Sequence, residues 1–553
     1  MAFWDTVMDA PGDATHVKRL IPAVVDETAR NDPERICFSM PRSANLEDGF
    51  QDISFRTFAH SINKMAHFIQ REIGRSSMFE TVMYMGYPDV RHYIILVALM
   101  KTGHKLLLSS HRNGISTHAD LIRRSDCTIL FHAAGFPVSG ILEKCRMETL
   151  CVPELSYLLD DTPCEPYPWT RSFDEAKCHP VMVMHTSGSS GPPKPVIWPH
   201  HAFIFSDAHQ LIPPLDGRLN IWGSVFGTTR RIFNGVPASH GAGMASGLVM
   251  ACFSKTIVVL GPPGLPTADV FDQVLEYGDI AATNCLPITL DEIATRPDIL
   301  AKLDRLKYIT YFGSPLTEAA GAAISQHVSL YSTLAGAKFG GVVQYATDRE
   351  DWQCVCLSPT YNGIEMRGTG NLYELVFVRD SKLECVQTAF KIDPQLKEHS
   401  MSDLYSKHPT KPHHWKYEGR KDDMITFRNG WRFNPRKHEH IIASHGAVRH
   451  CILVRTGKDR LAAIIELKSE FYTENKEQQE ELLASLWPRI ADANRSADTT
   501  AQLSTEHIIF ARRHKSFAIA GKGFVQRRAT VKMYAAEIEA IYGSPGRRGG
   551  ISG

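Results

Sequence analysis

The chain has 553 residues, 43% of them hydrophobic and 22% charged, with a formal net charge of +1. That is enough for two or more domains around a large core, and the even charge balance gives no basis for binding nucleic acid or an anionic membrane. Its twelve cysteines are scattered without Cys-x-x-Cys pairs, which predicts a reduced, cytoplasmic setting and no disulfide framework.

Residues 1–15 carry acidic groups and no apolar core, so they do not read as a signal peptide. Residues 93–100 form the longest aliphatic run, too short to span a bilayer. Residues 91–102 predict a helix that Gly103 stops, followed by an apolar strand at 105–108. Short strands are expected at 128–132, 181–184, 256–260, 308–312, 328–333 and 372–378, several of them separated by helical segments. Cys354-Val355-Cys356 reads as strand or loop, not as a metal site. The pattern predicts an α/β fold of layered sheets and helices over residues 1–419.

Composition changes at Tyr417-Glu418-Gly419-Arg420-Lys421-Asp422-Asp423. Beyond it come strands at 451–454 and 461–467 and an amphipathic helix near 477–491, which Pro488 kinks or restarts. A strand at 507–510 and a last helix at 526–542 complete a small, mobile α+β domain, residues 420–543. The Gly/Arg-rich tail, 544–553, is expected to be disordered.

The most informative stretch follows the strand at 181–184: His185-Thr186-Ser187-Gly188-Ser189-Ser190-Gly191-Pro192-Pro193-Lys194. Small, hydroxylic and glycine residues expose backbone N–H groups and allow a polyphosphate to approach closely. Lys194 adds a mobile point charge. No Gly-Lys-Ser/Thr precedes a helix, so this is not a Walker A loop. An ordinary Ser/Gly surface loop is the alternative for this stretch alone.

Further segments follow in order: 99–108, Pro237-Ala238-Ser239-His240-Gly241, Tyr311-Phe312-Gly313-Ser314-Pro315, Met401-Ser402-Asp403-Leu404, Gly419-Arg420-Lys421-Asp422 and Ala520-Gly521-Lys522-Gly523. Together they resemble the adenylate-forming superfamily of acyl-CoA synthetases, luciferases and peptide-synthetase adenylation domains. The resemblance implies that ATP is the cofactor and that Thr186, Ser187, Gly188, Ser189, Ser190, Gly191, Gly313, Ser314, Pro315, Asp403 and Arg420 bind it. It implies catalytic roles for Lys194, His240 and Lys522, a hinge at Asp422, and an acyl pocket lined by Phe233, His240, Gly241 and Gly313. Lys522 would stabilise charge developing on the acyl carboxylate and α-phosphate.

His111-Arg112-Asn113, residues 415–423 and residues 523–530 look most like the adenylation domain of fungal peptide-synthetase-like carboxylic acid reductases. That implies a small carboxylic acid substrate, of aryl or polyketide type, since residues 233–240 offer no acidic group for an amino acid's ammonium. The implied acceptor is a carrier-domain phosphopantetheine thiol or CoA. On this resemblance the chain stops where a carrier would begin, as an excised domain or a freestanding relative.

One motif departs from the superfamily pattern. The superfamily carries a hydroxyl–Thr–Glu segment after the strand at 328–333, and its glutamate helps hold Mg²⁺. A gapless count sets Ala337 and Lys338 on the Thr and Glu; a tighter one uses Ser332, Thr333 and Leu334. Neither supplies a carboxylate for a hard cation, so the use of Mg²⁺ and its ligands stay open. Two readings remain: an adenylating enzyme, or a degenerate adenylate-fold protein that binds a ligand or partner, or runs another acyl chemistry.

Overall fold

The structure, a computed structural model, describes residues 17–111, 113–185, 194–264, 266–421, 424–426, 432–454, 461–495, 502–519 and 525–543. Helix α1 (Ile21–Asn31) leads into the antiparallel pair β1 (Ile36–Pro41) and β2 (Phe50–Ser54). Ser54 then caps α2 (Phe55–Ile73) by accepting from Thr57 N–H.

A six-stranded sheet follows. Its strands are β3 (Thr81–Met85), β4 (Lys105–Leu107), β5 (Cys127–His132), β6 (Glu148–Cys151), β7 (Pro180–His185) and β8 (Pro195–Pro199). Their order is β6-β5-β3-β4-β7-β8, parallel except for the edge strand β8. Helix α3 (Arg91–Thr102) crosses from β3 to β4 and is buried along its whole length. Gly103 ends it at φ +86°, where a Cβ would stand 2.2 Å from Ser76 O; only glycine fits there. Helix α4 (Ile115–Arg124) crosses from β4 to β5.

The chain then returns to its first two strands. β9 (Arg231–Asn234), β10 (Ile257–Val259), β11 (Ala282–Cys285), β12 (Tyr308–Tyr311) and β13 (Ser329–Ser332) extend them into a seven-stranded sheet. Its order is β13-β12-β11-β9-β10-β1-β2, parallel except for β2. The largest core lies between these two sheets and takes in α3 and helix α5 (Gly241–Phe253). A second core, with Phe233, Val259, Ile309 and Tyr311, covers the far face of the seven-stranded sheet.

Next come a hairpin, β14 (Ala335–Gly336) and β15 (Gly340–Gly341), and an antiparallel sheet that includes the segments expected at 354–356 and 372–378. Its strands are β16 (Gln344–Tyr345), β17 (Cys354–Leu357), β18 (Ile364–Thr369), β19 (Leu372–Val378), β20 (Glu398–Lys407) and β21 (His414–Arg420), in the order β16-β17-β21-β20-β19-β18. The Cys354–Cys356 segment is therefore strand.

After β21 the chain forms the short pair β22 (Ile425–Thr426) and β23 (Arg432–Phe433) and helix α6 (Pro435–Ala443). The three-stranded sheet β24 (Val448–Val454), β25 (Ala462–Leu467) and β26 (Ile508–Phe510) follows, with helix α7 (Lys476–Arg495). Two apolar clusters drawn only from residues beyond 424 pack here. Helix α7 runs through Pro488 without a break. The expected last helix is two: α8 (Arg527–Met533) and α9 (Ala535–Gly543), separated at Tyr534, which is fully buried. The tail at 544–553 lies outside the described residues. Among the described residues no helix is long and apolar enough to cross a membrane.

Candidate active site

Parallel strands bring their C-terminal ends to one edge of each sheet, and loops there collect the functional side chains. β7 ends at His185 and pairs with β8 in the register His185↔Pro195. Lys194, exposed, therefore stands opposite the foot of the Ser/Gly loop. Thr186, Ser187, Gly188, Ser189, Ser190 and Gly191 lie outside the described residues.

His240 starts α5. Its Nδ1 accepts from Ala242 N–H at 3.1 Å, so in the neutral ring the proton sits on Nε2. The imidazole thus caps a buried helix. A Cβ on Gly241 would lie 2.3 Å from Met184 Sδ, and one on Gly243 would lie 2.3 Å from Pro237 O. Gly241 lets the start of α5 press against Met184 at the end of β7, which brings His240 and Gly241 beside the root of the Ser/Gly loop, and Gly243 lets the helix close on the backbone at 236–237.

Period-two alternation divides the residues of the seven-stranded sheet between its faces. Phe233, one of the residues expected to line the acyl pocket, points into the outer core and is fully buried there, away from α5. The α5 face instead carries polar residues that sequence reasoning passed over. Asn234, Asn284 and Thr310 stand in register on β9, β11 and β12. Asn234 donates to Gly243 O at 3.1 Å, and the Thr310 hydroxyl donates to Asn284 Oδ1. Polar residues inside otherwise apolar strands were the available signal.

Gly313 follows β12 at φ +95° in open space, a conformation that favours glycine. Ser314 is half-buried and Pro315 exposed beside it. At the end of β13, Thr333 donates from both its N–H and its hydroxyl to Tyr311 O, at 2.8 and 2.9 Å. Gln344 braces the next step: its Oε1 accepts from Leu334 N–H and its Nε2 donates to Ser332 O, both at 2.7 Å. So Ser332, Thr333 and Leu334 follow the strand directly. Lys338 lies beyond, exposed at the turn of the β14–β15 hairpin, where its charge reaches His399. The gapless count is thereby corrected, because the hairpin consumes the extra residues. Leu334 is no ligand for a hard cation. Among the described residues the one group of three metal-capable side chains is Asp348, Glu350 and Asp351, and the Lys411 ammonium bridges all three. These residues do not fit a Mg²⁺ ion held by a carboxylate at the end of β13.

Asp403 owes its direction to a bulge in β20. The register with β19 jumps between Val376↔Ser400 and Glu374↔Leu404, and Ser402 sits inside the jump at φ +57°. Ser400 Oγ accepts from Ser402 N–H and donates to Glu374 Oε1. Asp403 pairs across the ladder with Arg420, their charged groups 3.7 Å apart. Lys421 reaches Glu374 at 2.8 Å. Asp422 lies outside the described residues. On the far side, Asn434 caps α6 through Oδ1, and its Nδ2 donates back to Glu418 O. Lys522 also lies outside them, but its flanks are held. Ile519 bridges Val525, and Gln526 N–H donates to Ala518 O at 2.7 Å. Arg527 pairs with Glu439 and donates to Leu453 O.

The sequence comparisons agree with this architecture. Residues 25–336 match the AMP-binding enzyme family, and residues 422–545 match the AMP-binding enzyme C-terminal domain. The chain belongs to the AMP-binding, adenylate-forming enzyme family. It is 32% identical to an isocyanide synthase–NRPS hybrid of Aspergillus fumigatus, covering 95% of this chain and 34% of that protein. It is 30% identical to a carboxylic acid reductase of Neurospora crassa, covering 95% of this chain and 51% of that one. An adenylate-forming reductase of Serpula lacrymans is 25% identical, covering 92% of this chain and 49% of the relative. The chain thus spans a third to a half of the length of these curated relatives. In fold it is similar to O-succinylbenzoate coenzyme A synthetase from Bacillus subtilis in complex with AMP, with TM-score 0.65 at 14% identity over 92% of this chain and 97% of that one. It is also similar to ATP-bound MatB from Rhodopseudomonas palustris, with TM-score 0.67 at 12% identity over 94% of this chain and all of that one.

Proposed function

We propose that this chain activates a carboxylic acid with ATP and passes the acyl group to a thiol. The acid's carboxylate oxygen attacks the α-phosphorus, the bond to the β-phosphate oxygen breaks, and pyrophosphate leaves. A thiolate then attacks the acyl carbonyl and AMP leaves. The observation that carries this reading is the contact of Gly241 with Met184, which gathers the foot of the Ser/Gly loop, Lys194 and the His240 helix start at one place. Such chemistry needs positioning and charge stabilisation more than covalent help. In this reading Lys194 and residues 186–191 hold the β- and γ-phosphates. Gly313, Ser314 and Pro315 border the adenine, and Asp403 takes the ribose hydroxyls with Arg420 beside it. Lys522, carried on a small domain that turns about Asp422, stabilises the transition state. The substrate is an aryl or polyketide-type acid, and the acceptor is a carrier-borne phosphopantetheine thiol or CoA, in the cytoplasm.

Leu334 favours a second reading, a chain that binds nucleotide or acyl ligand without adenylating. Pyrophosphate exchange against a panel of aryl, polyketide and amino acids, with and without Mg²⁺, separates the two. Exchange with an acid of the first two kinds supports the enzyme. No exchange with any acid, in a chain that still binds nucleotide, supports the second reading.

A further inference from the structure

Two histidines face each other where the first parallel sheet ends. β3 and β4 are adjacent and parallel, and α3 carries the chain from the end of one to the start of the other. The start of α3 and the turn after β4 therefore lie at the same edge. His92 is the second residue of α3, and His111 lies in that turn. Their ring centroids are 5.9 Å apart, with the ring planes inclined at 50°. His92 is more than nine-tenths buried, and neither of its ring nitrogens has a hydrogen-bond partner. His111 Nε2, itself shielded from solvent, has none either. The Tyr84 hydroxyl at the end of β3 is also buried and unpartnered, and its ring stands 4.8 Å from that of His92.

Buried polar atoms in folded proteins are nearly always paired, because leaving one open is unfavourable. Several open ones in one place call for a ligand that they share. The nearby carboxylate does not serve: both oxygens of Asp89 are taken by the Arg91 guanidinium, at 2.7 to 3.1 Å. The remaining wall is aromatic, with Phe136 packed 4.9 Å from His111. Burial pushes both imidazoles down, so each keeps a free lone pair near neutral pH. Imidazole nitrogens bind zinc at about 2.0–2.1 Å, which sets two rings that share one ion about 5–6.5 Å apart, centre to centre, depending on the angle at the metal. The observed 5.9 Å lies inside that range.

We propose that His92 and His111 together bind one transition-metal ion of the zinc class. Neutral imidazoles suit such an ion and not a hard cation such as Mg²⁺. The ion ties the start of α3 to the turn after β4, and water fills its other positions, with the Tyr84 hydroxyl as an available partner. The site uses none of the residues assigned to ATP or the acid, so it is independent of the reaction proposed above.

The test uses the purified full chain, stripped with a chelator and free of nucleotide. Equilibrium dialysis counts the zinc bound per chain, since other histidines and cysteines also take up zinc. Wild type should hold one equivalent more than His92→Phe and one more than His111→Phe, and the double variant should lose no second equivalent. Tyr84→Phe should keep the equivalent, and excess Mg²⁺ should not displace it. Without metal, His92→Phe should unfold at a higher denaturant midpoint than wild type, because an apolar ring of similar size replaces two unpaired nitrogens. Added zinc should close or reverse that gap, because the ion stabilises only the chain that holds it. His92→Gln, which keeps a polar group but no imidazole, repeats the count should His92→Phe fail to fold. Equal zinc in wild type and both variants, loss in only one of the two, or displacement by Mg²⁺ would overturn the site. A midpoint gap that zinc leaves unchanged would overturn it as well, and would mean that the buried nitrogens share only water.

Discussion

Ser402 shows how a single backbone angle carries part of the site. Serine occupies φ +57° here, an angle that favours glycine, inside the β20 bulge that aims Asp403. A left-handed angle costs a side-chain-bearing residue about 1–2 kcal/mol, partly offset by the roughly 0.5–1 kcal/mol of extra chain entropy glycine gives up on folding. Ser402→Gly should therefore stabilise the fold by roughly 0.5–1 kcal/mol, read as a higher denaturant midpoint. A lower midpoint would mean that the serine hydroxyl contributes something the backbone does not explain. Leu334 is the second such residue. Leu334→Glu adds a carboxylate at the end of β13, where Gln344 holds the backbone. It should make ATP binding depend on Mg²⁺ by about tenfold, the scale of one charge-assisted contact. Lys338→Glu, on the exposed hairpin turn, should leave that dependence unchanged. Lys522→Ala should lower pyrophosphate exchange about 10²–10³-fold while the chain stays folded, if the lysine serves the transition state. Unaltered exchange would return Lys522 to the surface.

At the scale of elements, the start of α5 is the tightest junction in the candidate site. Gly243 packs under Pro237 O and Val236 O, so any side chain there meets backbone that cannot turn aside. Gly243→Ala should destabilise the protein by about 1–3 kcal/mol, the range for overpacking, as measured by denaturant unfolding. It should also shift His240 and depress exchange more than stability alone predicts. Helix α3 is the counterexample of an element legible without its surroundings. Its twelve residues read as a helix because they combine good helix formers with a glycine stop, and the tertiary structure buries them on every side. The strands of the third sheet were largely illegible. Of its six, 372–378 showed itself as a strand and 354–356 read as strand or loop; β16 is only two residues long and β20 carries a bulge, which blur the period-two signal.

For the molecule as a whole, the apolar clusters beyond residue 424 are separate from those of the first two sheets, and the expected hinge falls between them. The last strand of the large part is tied to the first helix of the small part by Asn434, and to its own sheet by Lys421 with Glu374. Limited proteolysis should cut near 422–423, and ATP with an acid substrate should change the rate of cutting. A chain that resists cleavage there under every condition would argue against a hinge. Much of this organisation was already written in the chain. The helix at 91–102 with its glycine stop, the strands at 181–184 and 308–312, and the matches to the AMP-binding family rest on local features, and a contiguous motif needs only its own backbone to be recognised. The tertiary structure decided what depends on register and on parallel crossovers. It set Leu334, not Lys338, directly after β13, because a hairpin absorbs the residues a linear count cannot discount. It turned Phe233 into a core and Asn234 toward α5, since alternation separates two faces without saying which is which. It also laid His111 beside His92, because a parallel crossover returns the chain to the sheet edge it left.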